Sequence, residues 1–217
     1  MTARTTTAQA TTGQANTATA TTARTLRTKG QVARCWARHS SGYVLGGYWL
    51  LGALWRHRQG PLRRADLRAV VAVVALQPFF EWALHRFVLH GRARSMGSRV
   101  VDLGAAHRGH HAVPDDVGGA LLGTGFAVSN GAAVAAVGAG VGVLAGGTRG
   151  ALAAAMTAES GLLAYEWLHL LSHSGYQPRT AWFRHLRAGH LRHHFRDEGT
   201  NFGVTSRLAD RLLRTAA

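Results

Sequence analysis

The sequence has little cysteine, proline, lysine or acid. A single cysteine, Cys35, excludes a disulfide framework within the chain and a cysteine-built zinc module, so any metal must be held by other ligands. Charged residues make up 16% of the 217 positions, against roughly 25% in an average soluble domain, while hydrophobic residues make up 47%. That is too little charge to cover a soluble surface. A mean hydropathy of −0.03 hides this, because long stretches carry no charge and the connections carry almost all of it. The length fits one domain plus tails and excludes a modular multidomain chain. Ten acidic residues face 25 basic ones, a net charge of +15, and every base except Lys29 is arginine. No helix-turn-helix or RNA-binding signature accompanies that charge, and many of the bases flank apolar runs. Nucleic acid is therefore rejected as the partner in favour of anionic lipid headgroups.

Met1 to Gly30 is rich in Thr, Ala and Gln, has no acidic residue and almost no large apolar one, and lacks the apolar core of a secretory signal. Residues 1–40 are accordingly expected to form a disordered basic tail ahead of a membrane domain at 41–217. Four apolar segments follow. Tyr43 to Trp55 is short for a bilayer of about 30 Å unless Ser40 and Ser41 join it. Ala69 to His90 begins as a spanning helix, contains Pro78, where a kink is expected, and acquires Glu81, His85 and Arg86 toward its end. Ala120 to Gly147 and Ala151 to Leu171 read as a transmembrane hairpin; a buried hairpin of a soluble protein is the alternative. The fold class expected is an all-α integral membrane protein. About four membrane-embedded helices would carry a helical polar cap.

Thirteen histidines stand out against this background, and ten of them fall into four groups. These are His85 and His90; His107, His110 and His111; His169 and His173; and His190, His193 and His194. Residues three and four apart share a helix face, so each of the last three groups offers converging imidazoles. His85 and His90 do not fit this rule. Five steps of 100° place them about 140° apart, so His90 should lie where the helix ends near Gly91. An out-and-back hairpin returns all ten rings to one end of the bundle, enough for two metal ions with about five ligands each. Imidazole alone does not name the metal. Neutral rings leave the ions' charge uncompensated, so nearby carboxylates are expected to accept ring N–H groups: Glu81, Glu166, Asp102 and Asp115, with Asp116 beside them. The alternative for Glu81 is a salt bridge with Arg86. Glu159, inside an apolar segment, is expected to face a cavity.

The strings EWALHRFVLH from Glu81, HRGHHAVPDD from His107, YEWLHLLSH from Tyr165 and HLRHHFRDEGTNFGVTSRLAD from His190 resemble the fatty acid hydroxylase and sterol desaturase superfamily. The resemblance covers Phe79 to Thr215 and is strongest to the fatty acid 2-hydroxylase branch, chiefly through FGVTS after the last histidine cluster. It implies a membrane-bound diiron enzyme whose ten histidines are the ligands of two non-haem iron ions, with zinc possible as purified. It further implies O2-dependent hydroxylation of a lipid, with electrons from an external donor such as a cytochrome b5-like protein or a ferredoxin with its reductase. Some relatives carry a cytochrome b5 domain in front; the first forty residues here are too short and polar to be one. A second departure is Ala209, where an aromatic residue is common before the terminal Asp210. The rival readings are a carotenoid or sterol-type hydroxylase or desaturase of the same superfamily, and a membrane metal-binding or transport protein without redox chemistry. Oligomeric state is left open. Arginines flanking the histidine segments favour a cytoplasmic active site, with Arg56, Arg58, Arg63, Arg64 and Arg68 in conflict.

Overall fold

A computed structural model of the chain describes residues 22–96 and 99–217. Its helices are α1 (Lys29–Arg38), α2 (Ser40–Arg58), α3 (Arg64–Leu84), α4 (Ala105–Ala112), α5 (Val117–Ala120), α6 (Thr124–His173), α7 (Ala181–Phe195) and α8 (Leu208–Leu212). The all-α expectation needs one correction: β1 (Arg94–Met96) and β2 (Arg99–Val101) pair antiparallel, with Ser95 opposite Val100. This short hairpin bridges α3 and α4, where polar and β-branched residues favour neither helix nor lipid.

The run of 50 residues in α6 is two helices. Gly147 breaks it at φ 67°, a left-handed conformation open to glycine, and the arms 124–146 and 148–173 fold back antiparallel. Small residues let them close. A Cβ at Gly142 would lie 2.6 Å from the Ala154 Cβ, and one at Gly138 2.7 Å from that of Ala158. α3 seats in the same notch, with Gly146 and Gly150 against Ala65 and Ala69. The helices therefore touch backbone to backbone at the Gly147 end. Toward the histidines, bulkier Phe79, Phe80, Leu84 and Phe126 stand between α3 and the first arm, and a cavity opens. α2 packs on both arms: Tyr48 donates to the Val128 carbonyl at 3.3 Å and the Trp49 indole to Ser160 Oγ at 2.9 Å. α3 runs on through Pro78.

Two stretches, 64–89 and 117–173, are long and apolar enough to cross a membrane, and the second doubles back on itself. Only 22% of the most apolar window of each is buried, whereas the core hairpin of a soluble protein would be mostly buried. Leu50, Leu51, Leu54, Val71, Val74 and Leu144 are among the apolar residues turned outward, a surface suited to lipid.

The expected tail is overturned from residue 22 onward, and residues 1–21 lie outside the described residues. α1 starts at a capping box in which Thr28 and Gln31 bond reciprocally. Its stripe of Val32, Cys35 and Trp36 packs with Ala23, Leu170, Leu171 and Phe183. The Ala23 N–H reaches the Asp115 carbonyl at 2.7 Å. Composition averaged over forty residues concealed a helix whose few apolar groups sit at i, i+3 and i+4.

α3 ends in a π-turn, His85–Leu89, in which the His90 N–H bonds the His85 carbonyl five residues back at 3.1 Å. The wider turn removes the 140° offset of a regular helix. It leaves the His85 and His90 rings stacked at 5.2 Å between centroids.

Candidate metal centre

All ten histidines of the four groups meet at one end of the bundle. His85 and His90 come from the π-turn, His107, His110 and His111 from α4, His169 and His173 from the end of α6, and His190, His193 and His194 from α7. They separate into two adjoining sets. The ring nitrogens of His85, His90, His107, His111 and His193 lie within 4.8 Å of one another, and so do those of His110, His169, His173 and His194. The tenth, His190, has its Nε2 2.8 Å from that of His173. The sets touch where His111 stacks on His194 at 3.9 Å.

Backbone carbonyls fix the tautomers. The Nδ1 atoms of His85, His169 and His193 lie 2.5, 2.8 and 2.7 Å from the carbonyls of Phe202, Ala120 and Thr200. A carbonyl only accepts, so each ring carries its proton on Nδ1 and presents an Nε2 lone pair inward. Lone pairs then face one another: Nε2 atoms are 2.9 Å apart for His85 and His107, 3.0 Å for His90 and His193, and 3.1 Å for His110 and His173. The buried Nε2 atoms of His169 and His194 have no hydrogen-bond partner. A shared cation satisfies all of them, so the donor set fits metal. Two nitrogens bound at about 2.1 Å to one ion stand about 3.0 Å apart at right angles and about 3.4 Å apart at the tetrahedral angle.

Protonation is suppressed to match. Burial, with neighbouring imidazoles adding to it, pushes His110 down to about 3 and His111 to about 4. Burial likewise takes His193 to about 4, and holds His90, His107, His190 and His194 below the ordinary histidine range. Neutral rings are the form that binds metal.

The four carboxylates expected to hold ring N–H groups do other work. Glu81 accepts the N–H groups of Val204 and Thr205 and the Thr205 hydroxyl. Glu166 accepts the Leu122 N–H and the Trp36 indole N–H, both at 2.9 Å. Each grips a loop whose carbonyl then holds a ring: Glu81 the loop of Phe202 and His85, Glu166 the loop of Ala120 and His169. Asp102 pairs with Arg108, which also bonds the carbonyl of Gly91 beside His90, and Asp115 pairs with Arg24. Asp116 caps α5. Glu81 does not pair with Arg86, whose guanidinium lies over the rings of Trp82, Phe87 and Phe202. Glu159 is buried with both oxygens unpartnered and is not part of the cavity lining.

Sequence reasoning missed Glu198. Its carboxylate lies 3.2 Å from His111 Nδ1, out of line for a hydrogen bond, and 3.8 Å from His90 Nδ1. Its place three residues past the end of α7 gave no periodic signal.

The cavity, about 590 Å³, runs between α3 and the first arm of α6. Val73, Gln77, Phe80, Leu84 and Val88 form one wall, and Phe126, Asn130, Val134, Val137 and Val141 the other, each set spaced by three or four along one helix face. His85, His107 and His169 close one end. Val73, Val141 and Ala158 close the other, packed with Ala69 and Ala154. The helix from Val73 to His85 rises ~18 Å, so the cavity is a long slot. Leu76, Phe80 and Val137 at its lips are 51%, 39% and 46% exposed, leaving it open sideways.

Residues 70–215 match the fatty acid hydroxylase family. The chain belongs to that family. A dihydroceramide fatty acyl 2-hydroxylase of Arabidopsis thaliana is 40% identical over 55 residues, 25% of this chain and 23% of the relative, so the match spans about a quarter of that protein's length. No solved structure matches the chain. The fatty acid hydroxylase match takes in the whole metal centre and both cavity walls. It also covers FGVTS, Phe202–Ser206, whose role here is structural. Asp210 accepts the N–H groups of Phe202 and Gly203 at 2.9 and 2.8 Å and the Thr215 hydroxyl at 2.7 Å. Ala209, the departure from the family pattern, is fully buried, and the C-terminal turn is ordered around Asp210 instead.

Proposed function

We propose that this fatty acid hydroxylase family member hydroxylates the acyl chain of a membrane lipid with O2, using two iron ions held by the ten histidines. One observation carries the reading: an apolar slot, open to the bilayer along its side, ends on His85, His107 and His169. Iron bound there supplies the redox chemistry that places one oxygen atom of O2 in an unactivated C–H bond, which no protein acid or base achieves alone.

The chain's own part is positioning and dryness. α2, α3 and the two α6 arms form a four-helix membrane bundle, and α4, α5, α7 and α8 form its cap. A lipid slides in between Leu76, Phe80 and Val137 without leaving the bilayer. Its tail lies along Phe80 and Val134 down to the floor of Val73, Val141 and Ala158, while its polar end stays at the histidine level. The carbon offered for reaction is then near the head of the chain. That accords with the 2-hydroxylation named for the Arabidopsis relative and favours a fatty acid or sphingolipid-type substrate. A slot this long suits a flexible chain better than a rigid sterol. The histidines gather at helix ends rather than at the mid-bilayer breaks where transporters hold ions.

Arginine distribution supports a cytoplasmic site. Arg56, Arg58, Arg63, Arg64, Arg68 and Arg149 gather at the far end, where Arg149 bonds the Gln59 carbonyl. The ordered N-terminal segment adds Arg24, Arg27, Lys29, Arg34 and Arg38 to the more numerous bases of the histidine end.

The test is mass spectrometry of total lipids from cells expressing the wild type or His193→Ala under 18O2, with a donor system supplied. A labelled 2-hydroxyacyl lipid is expected from the wild type alone. A labelled product persisting in His193→Ala would remove the dimetal mechanism, and label far from the head would remove the proposed substrate pose.

A further inference from the structure

The outer face of α7 carries charge with no counter-charge of its own. At 100° per residue His190, His193 and His194 occupy one side of α7 and Arg184, His185 and Arg192 the opposite side. The histidines are buried; Arg184, His185 and Arg192 are exposed. Arg207 and Arg211 join this face from α8, with guanidinium nitrogens 3.0 and 3.1 Å from His185 Nε2. Burial, and after it the charges of Arg211 and Arg192, hold Arg207 below its ordinary range, although Asp210 pulls the other way. Among the described residues, no Asp or Glu carboxylate is ion-paired with Arg184, Arg192, Arg207 or Arg211, although Arg24, Arg56 and Arg108 elsewhere each have one; Arg207 bonds the Ala217 main-chain oxygen at 3.1 Å. The nearest acids along the chain are Asp197 and Glu198 for α7 and Asp210 for Arg207 and Arg211; Glu198 is turned toward His90 and His111, and Asp210 is buried, holding the N–H groups of Phe202 and Gly203.

This face looks away from the bilayer, because the buried side of α7 sits on the bundle end from which α3 and α6 descend. It is also close to the metal centre. A helix is about 10 Å across, so a group docked on Arg192 is separated from His193 and His194 by one helix. A bonded route runs alongside: Arg207 donates to Asn201 Oδ1, Asn201 Nδ2 donates to Thr200 Oγ1 at 3.1 Å, and the Thr200 carbonyl holds the His193 ring.

The reaction proposed above requires what this face fits. Converting one C–H to C–OH with O2 releases the second oxygen atom as water and takes up two electrons and two protons from outside the site. We propose that Arg184, His185, Arg192, Arg207 and Arg211 form the docking surface for a small acidic one-electron carrier protein. Two reduced carriers dock in turn, each leaving oxidised by one electron, and the current crosses α7 to the histidine sets. The proposal rests on the hydroxylase reading for its need of electrons, but docking itself is measured without turnover.

The experiment titrates the metal-loaded full chain, in nanodiscs of phosphatidylcholine, with two oxidised acidic probes, a [2Fe–2S] ferredoxin and the soluble domain of a cytochrome b5. The variant Arg184→Glu/Arg192→Glu/Arg211→Glu is compared with Arg27→Glu/Arg92→Glu/Arg94→Glu, which changes net charge equally on exposed positions elsewhere. For at least one probe, the first variant should weaken binding at least tenfold at low salt, the second should leave it within about twofold, and salt should weaken wild-type binding. Equal loss in both variants, or no salt-dependent binding of either probe, overturns the proposal. So does a loss confined to phosphatidylglycerol vesicles, which would make the face a lipid-headgroup site. Absence of labelled product with every reductant would overturn the hydroxylation reading separately, since it leaves the titration unchanged.

Discussion

The two histidine sets are built in different ways. His110, His169, His173 and His194 are all buried, and two of them stand on the last turns of the continuous second arm of α6. His85, His90, His107, His111 and His193 draw on a π-turn, a short helix and α7. Two of their rings are held by carbonyls of the loop around Thr200 and Phe202, and two lie beside the exposed Glu198. The first set inherits its geometry from a helix anchored in the membrane bundle. The second depends on a loop pinned by Glu81, more than a hundred residues away, and by Asp210. The loop-held half should therefore be the more sensitive to changes that never touch a ring.

Separating the halves gives the largest effect. Glu81→Gln places an amide N–H among the donors that hold Val204 and Thr205, and should lower metal affinity of the five-histidine set by about 10–100-fold while sparing the other. Glu166→Gln, through Leu122 and Ala120, should act on the set containing His169 instead, and by less. Metal stoichiometry with anomalous diffraction distinguishes them, and loss of both ions together in either variant would dissolve the comparison into one cooperative site.

Acid should act next in size. His110, His111 and His193 have folded values of about 3, 4 and 4 against an unfolded value of about 6.5, so below pH 6.5 the unfolded metal-free chain binds more protons than the folded one. Stability is at its full value above that pH. It should fall as the pH drops below that value, down to about 4 for His111 and His193 and about 3 for His110. Melting of the metal-free protein in detergent from pH 7.5 to 4.5 checks the sign, and a rising melting temperature on acidification would contradict buried neutral rings.

The smallest effect should come from Glu198→Gln. Its side chain is 58% exposed, so solvent screens it, and metal affinity of the five-histidine set should drop less than tenfold with the four-histidine set unmoved. A loss as large as that of Glu81→Gln would mean that the exposed carboxylate, and not the loop, orients His90 and His111.

Reading the sequence went furthest where spacing alone carries geometry. HxxHH and HxxxH on helices are enough to turn rings to one side, and an uncharged run broken at a glycine is enough to return them to one end. At His85 and His90 it reached the misfit with a straight helix and the place of His90 at the helix end, but not the π-turn that stacks the two rings. The N-terminal segment misled: its composition is that of a tail, but Val32 and Trp36 find a surface on α6 and α7 that no local window reveals.

What the sequence by itself determined is the supply of imidazoles, their grouping in helical register and the apolar lengths that carry them, because all three follow from period and transfer energy over neighbouring residues. Only the tertiary structure decided how the rings divide into two sets, and that carbonyls rather than carboxylates hold three of them. It alone placed Glu81 and Glu166 one loop away, and left a slot between α3 and α6 leading to the rings. Those outcomes rest on contacts such as His85 with Phe202 and Trp36 with Glu166, between residues 117 and 130 positions apart. A buried polar group takes whichever partner the packed chain brings within about 3 Å, and nothing local to it in sequence specifies which one that is.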